Sequence, residues 1–144
     1  MTGQVLPLLV VIALVALGSW WYRRTNGAMR AVDATFTPSQ FSALGLPARR
    51  PAMLLFTAPG CASCTGAIGL LTGLSSRYDV PLVIADVTDH AEVASAQHIY
   101  RAPTTLLIDE QGRAVSRISG VPRDDELERV LTGGFRLASG AIAP

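Results

Sequence analysis

The only two cysteines of this chain stand three residues apart in FTAPGCASCTGAIGLL, Phe56 to Leu71, as C-x-x-C. Thiols at this spacing have three roles open to them: exchange with a disulfide, half of a metal site, or two small buried residues. The flanking residues favour the first. AMLLFT, Ala52 to Thr57, is a continuous apolar run of strand length, and a helix is predicted to open at Cys61 and reach Tyr78. The first turn of a helix carries unpaired backbone N–H groups and a partial positive charge, so a cysteine there is stabilised as the thiolate, the form that attacks disulfides. Cys61 is expected to be the exposed member of the pair. Cys64, one turn further on, should lie beneath it and close enough to close a disulfide.

The metal readings lack ligands. Zinc takes four, and the chain's two histidines, His90 and His98, fall on a different predicted helix at a spacing unlike that of a zinc finger. Two thiolates can hold copper(I), but no methionine lies within seven residues of Cys61 to support them. His90 and His98 read as surface residues, and Asp86 and Asp109 as strand-end caps. No metal site is expected.

The elements that must position the pair alternate along the chain. A short strand is predicted over Arg30–Thr35, and a helix over Pro38–Leu44 with Thr37 as N-cap, Pro38 at its first position and Gly45 closing it. The strand Ala52–Thr57 and the helix Cys61–Tyr78 follow. PLVIADV, Pro81 to Val87, reads as a second strand buried on both faces, Asp89 as the cap of a helix over His90–His98, and TTLLID, Thr104 to Asp109, as a third buried strand. A turn at Glu110-Gln111-Gly112 leads to RAVSRIS, Arg113 to Ser119, which alternates like a half-buried antiparallel strand. DDELERVL, Asp124 to Leu131, is an acid-started amphipathic helix.

Composition adds one further element. The chain has 144 residues, 49% hydrophobic and 16% charged, with a net charge of +1 carried by arginines alone. No block of like charge marks a nucleic-acid surface. The apolar surplus is N-terminal. VLPLLVVIALVALGSWWY, Val5 to Tyr22, is uncharged and at about 1.5 Å per residue spans about 27 Å, close to a hydrocarbon core. A single transmembrane helix is therefore placed over residues 4–22, with Trp20, Trp21 and Tyr22 at the interface. Arg23, Arg24 and Arg30 follow it, an asymmetry that puts the remainder in the cytoplasm. Ala16-Leu17-Gly18 offers the small residues of a signal-peptide cleavage site, but no basic residue precedes the apolar run. Residues 23–30 read as a polar tether, 31–132 as one globular domain and 133–144 as a tail.

Strand, C-x-x-C, helix, then RAPTT and SGVPRDDELERVL together resemble the thioredoxin superfamily over roughly Ala31 to Leu131. The resemblance implies an α/β fold, a thioredoxin-like three-layer sandwich whose central mixed sheet is flanked by helices, here preceded by one transmembrane helix. It also implies a cis-proline facing the cysteines, matched by Pro103. Such a proline starts a strand and turns Ala102 toward an extended substrate; Gly60, Thr104 and Gly120 join the implied substrate platform. Two departures stand out. Gly60 and Ala62-Ser63 replace the family's Trp before the pair and Gly-Pro within it. Leu55 takes the place of the buried acid six residues before the first cysteine, and Ile84 that of the neighbouring lysine.

The resemblance implies a thiol–disulfide oxidoreductase, with Cys61 as nucleophile and Cys64 as resolving thiol, reducing protein or small-molecule disulfides. It needs no cofactor beyond the Cys61–Cys64 pair, and its electrons come from thioredoxin reductase or another thiol donor. The alternatives are an exported oxidase or isomerase, and a docking module at the membrane that no longer turns over.

Overall fold

The computed structural model describes residues 5–133; of the expected tail, 133–144, all but Gly133 lies outside them. The elements are α1 (Val5–Thr25), β1 (Met29–Thr35), α2 (Pro38–Ala43), β2 (Ala52–Thr57), α3 (Ala62–Tyr78), β3 (Leu82–Asp86), α4 (Ala91–Ala96), β4 (Thr104–Ile108), β5 (Arg113–Ser119) and α5 (Asp124–Thr132). The strands form one mixed sheet in the order β1-β5-β4-β2-β3, in which only the β2–β3 pair is parallel.

β2 lies inside the sheet, between β4 and the edge strand β3, because its residues are apolar on both faces, and Ala52 through Phe56 are fully buried. Its alternate side chains feed two cores. Leu54 and Phe56 join Leu106, Ile108, Val93 and Ala94 on the α2–α4 face. Met53 and Leu55 join Leu107, Ile118, Leu127 and the α3 residues Ala67, Leu71 and Leu74 on the other. Each such leucine or phenylalanine contributes about 1.5–3 kcal/mol on burial. Arg77 of α3 pairs with Glu128 of α5 across the helix layer.

Local signals account for most boundaries. The Thr37 side chain accepts from the Gln40 N–H while the Gln40 side chain accepts from the Thr37 N–H, a complete capping box with Pro38 at the first turn. α3 ends at Asp79, whose φ of 51° breaks the helix.

The structure corrects several expectations. β3 is an edge strand, not one buried on both faces, and Ile84 is 47% exposed. α4 is shorter than His90–His98: its N-cap is His90, without a side-chain cap bond, rather than Asp89, and His98 lies beyond it at a φ of 53°. β5 is buried at Ala114, Val115, Ser116 and Ile118 rather than on alternate residues, because β1 covers its outer edge and its pairing with β4 shifts register near Ile108.

The N-terminal helix differs too. α1 continues through Arg23 and Arg24 to Thr25, and β1 begins at Met29, so only Asn26, Gly27 and Ala28 remain of the expected tether. α1 is long and apolar enough to cross a membrane, with a mean hydropathy of 2.1 and no residue buried against the domain. At about 1.5 Å per residue it is about 32 Å long.

Candidate active site

β2 delivers the cysteines. After Thr57 the chain passes through Ala58, Pro59 and Gly60, where a φ of 71° suits glycine, and enters α3 with Cys61 as its N-cap. The Cys61 N–H donates to the Ala58 carbonyl at 3.2 Å, and the Cys64 N–H to the Cys61 carbonyl at 3.2 Å. The two residues are joined as a disulfide, their Cα atoms 5.4 Å apart. Cys61 is half-buried and Cys64 buried, 5% exposed, so an incoming sulfur meets Cys61 first. The Ser63 hydroxyl lies 3.6 Å from Cys61 Sγ, within hydrogen-bonding reach of sulfur, and together with the open N–H groups of the first turn it favours negative charge there.

The second half of the site comes from the loop before β4 and the end of β5. The Ala102–Pro103 peptide is cis. The Gly120 N–H donates to the Pro103 carbonyl at 2.8 Å, and the Thr104 hydroxyl to the Arg101 carbonyl at 2.7 Å. Thr104 is buried, 2% exposed. In register, Thr104 stands between Phe56 of β2 and Ser119 of β5. Gly60, Cys61 and Cys64 on one side, and Ala102, Pro103, Thr104 and Gly120 on the other, therefore gather at one end of the sheet.

Beneath the pair the lining is apolar. Leu55 is fully buried and stands opposite Ile84 on one neighbouring strand and Thr105 on the other. Thr105 is itself fully buried, and its hydroxyl has no hydrogen-bond partner among the described residues. At the end of β3, Asp86 accepts from the Thr88 hydroxyl at 2.6 Å and from the Thr88 N–H at 2.8 Å, and these bonds hold its carboxyl below its ordinary value. It caps a strand end, as expected. Asp109 does the same for the β4–β5 turn, accepting from the N–H groups of Gln111 and Arg113. Among the described residues no group of three or more His, Cys, Asp or Glu side chains converges as a metal site would.

Sequence reasoning missed Ser63, Thr105 and the residues packed against Gly120. A Cβ on Gly120, whose φ is 97°, would sit 2.2 Å from the Asn26 side-chain oxygen, and one on Gly27 would sit 2.3 Å from the Val121 carbonyl oxygen. The turn after α1 thus lies directly on the Gly120 loop. Asn26-Gly27 is a turn signal in the sequence, but its contact with a loop so distant in the chain follows only from the β1–β5 pairing.

The family model for thioredoxin matches residues 32–133. The chain belongs to the thioredoxin family. Among solved structures, this thioredoxin-family chain is similar to the thioredoxin pre-protein of Schistosoma mansoni, at 22% identity over 69% of this chain and 93% of that one with a TM-score of 0.57. It is similar also to the thioredoxin NaTrxh of Nicotiana alata, at 23% identity over 70% and 90% with a TM-score of 0.54, and to Fasciola hepatica thioredoxin, at 20% identity over 65% and 88% with a TM-score of 0.54. No curated protein matches the sequence significantly. The thioredoxin fold of the domain accords with these likenesses, and α1 lies outside the part that the family model matches.

Proposed function

We propose that the protein is a thiol–disulfide oxidoreductase that reduces disulfides. The observation that carries this reading is the unequal exposure of the two sulfurs at the start of α3: Cys61 accessible, Cys64 buried, and both within bonding distance. In the reduced protein the Cys61 thiolate attacks one sulfur of a substrate disulfide, forming a mixed disulfide and releasing the other substrate sulfur as a thiolate. The Cys64 thiolate then attacks Cys61 Sγ, which frees the second substrate thiolate and closes Cys61–Cys64. Two electrons pass from the pair to the substrate, and released thiolates take protons from water. A thiol donor such as thioredoxin reductase's dithiol restores the pair, and no other cofactor takes part.

The backbone around Ala102 and Pro103 supports the extended pose of a substrate chain beside the cysteines, whereas the space over Gly120, expected to admit the substrate, is filled by Asn26. The reducing direction follows from the arginines after α1, which favour a cytoplasmic domain, where the thiol pool is reducing. The test is insulin reduction driven by dithiothreitol. Cys61→Ser should abolish it, and Cys64→Ser should accumulate a mixed disulfide that names the substrate. Activity that survives Cys61→Ser defeats the reading. A potential of the pair near −270 mV supports the reducing direction, and one nearer −120 mV reverses it.

A further inference from the structure

The cysteines and the end of α1 lie at the same end of the sheet's strands, joined by one continuous row of backbone. Phe56, the last buried residue of β2 before the cysteine loop, pairs with Thr104, and Thr104 with Ser119. The row does not stop there: the Gly27 N–H donates to the Ser119 carbonyl at 2.8 Å. Three strand spacings of about 4.8 Å separate Gly27 from Phe56, a lateral distance of about 14 Å.

The joint is packed rather than loose. Asn26 fills the space over Gly120, and Gly27 closes on the Val121 carbonyl. The Arg123 guanidinium donates to the Arg23 carbonyl at 3.0 Å and the Arg24 carbonyl at 3.2 Å. These carbonyls belong to the last turn of α1, where no further helical N–H satisfies them and where a cation is favoured. α1 itself buries nothing against the domain, so it leads away from it.

The level of the bilayer follows from the sequence of α1. Trp20, Trp21 and Tyr22 are the residues that seek the interface, and Thr25 ends the helix about 5 Å above Tyr22. The same end of the molecule carries a cavity of about 350 Å³ lined by Thr25, Arg30, Arg101 and Arg117, with no acidic residue in its lining. The exposed Arg30 and Arg101 guanidinium groups at that height suit the phosphates of lipid headgroups, while Arg117 donates to the Gln97 and His98 carbonyls.

From this geometry we propose that the end of the sheet that carries the cysteines faces the bilayer, and that the substrates are disulfides of membrane proteins held within a few residues of the membrane surface. The proposal rests on the oxidoreductase reading and on α1 being embedded. It assigns α1 a second duty beyond retention: setting the height at which Cys61 works.

The experiment uses the full chain, pre-reduced and reconstituted in liposomes, in single turnover. One synthetic single-pass peptide carries a disulfide-closed loop next to its span; a second carries the same loop on a rigid helical spacer about 45 Å long. Insulin is the soluble comparison. The near loop should be reduced about tenfold faster than the raised one, since only the near loop gains from a high local concentration at the level of Cys61. Inserting a long Gly-Ser segment between Thr25 and Asn26 should erase the difference and leave insulin reduction intact. Equal rates for the two loops, or a faster raised loop, overturn the placement. If insulin reduction fails as well, the oxidoreductase reading falls and this inference with it; if insulin is reduced normally while height has no effect, only this inference falls.

Discussion

Leu55 and Thr105 are the residues at which this site differs most from its expected chemistry. Leu55 leaves the space under the cysteines without an acid, while the Thr105 hydroxyl opposite it is fully buried and unpaired. A buried hydroxyl without a partner costs about 1–3 kcal/mol of desolvation. Thr105→Val keeps the shape of the side chain and its preference for a strand, so it should leave the fold intact and raise stability by about 1 kcal/mol in urea unfolding. A loss of stability would show that the hydroxyl is satisfied. Leu55→Asp sets a carboxyl against that same hydroxyl. It should speed resolution of the mixed disulfide by Cys64 about tenfold at neutral pH by supplying a general base, at a cost of several kcal/mol of stability from burying an acid. An unchanged resolution rate in a folded variant defeats this prediction, and adding Thr105→Val should weaken the gain by removing the hydroxyl next to the carboxyl. At this scale the cysteine pair was legible from its spacing and its place at a helix start, and Pro103 from the family resemblance that RAPTT helps to carry. The unpaired Thr105 hydroxyl was not, since its partners depend on which strands flank β4.

Among the elements, β1 and β5 carry an unfavourable feature. Arg30 and Arg117 stand directly opposite each other in the antiparallel register, and like charges so placed destabilise a sheet by about 0.2–1 kcal/mol. Arg117 is committed elsewhere, donating to the carbonyls of Gln97 and His98 after α4, and Arg30 is exposed. Arg30→Thr, which substitutes a residue favoured in strands, should therefore stabilise the domain by about 0.5 kcal/mol in low salt. The gain should shrink as salt screens the repulsion. A destabilised variant, or a gain that grows with salt, contradicts this account. The order of elements was legible from apolar runs, glycine turns and caps, since each is a local signal. The burial of β3 and β5 was not: an apolar run looks the same at a sheet's centre and at its edge, and only the pairing of β1 with β5, which leaves β3 at the opposite edge, decides which one Ile84 occupies.

For the whole molecule the decisive structure is the joint between α1 and the domain, where the sequence reads as a tether and the structure shows a short, packed turn. The polar composition of residues 23–30 is common to both, and the difference comes from Arg123, a residue about a hundred positions away in the chain. Its two hydrogen bonds to the end of α1 hold the Gly27 N–H against Ser119. Arg123→Met keeps the apolar stem and removes the donors. Each such bond is worth about 0.5–1.5 kcal/mol net, so losing both should make local opening of the joint about fivefold to a hundredfold more frequent, read as faster hydrogen exchange of the Gly27 amide in the full chain in micelles. Exchange at Leu54 and Leu55, fully buried on the interior strand β2, should be unchanged because opening there requires global unfolding. Insulin reduction should also be unchanged, since Arg123 touches neither cysteine. If Gly27 exchange stays at the native rate, the joint is held by Asn26 and the backbone alone. If exchange rises throughout β2 as well, Arg123 stabilises the whole domain and α1 is not a separately coupled unit.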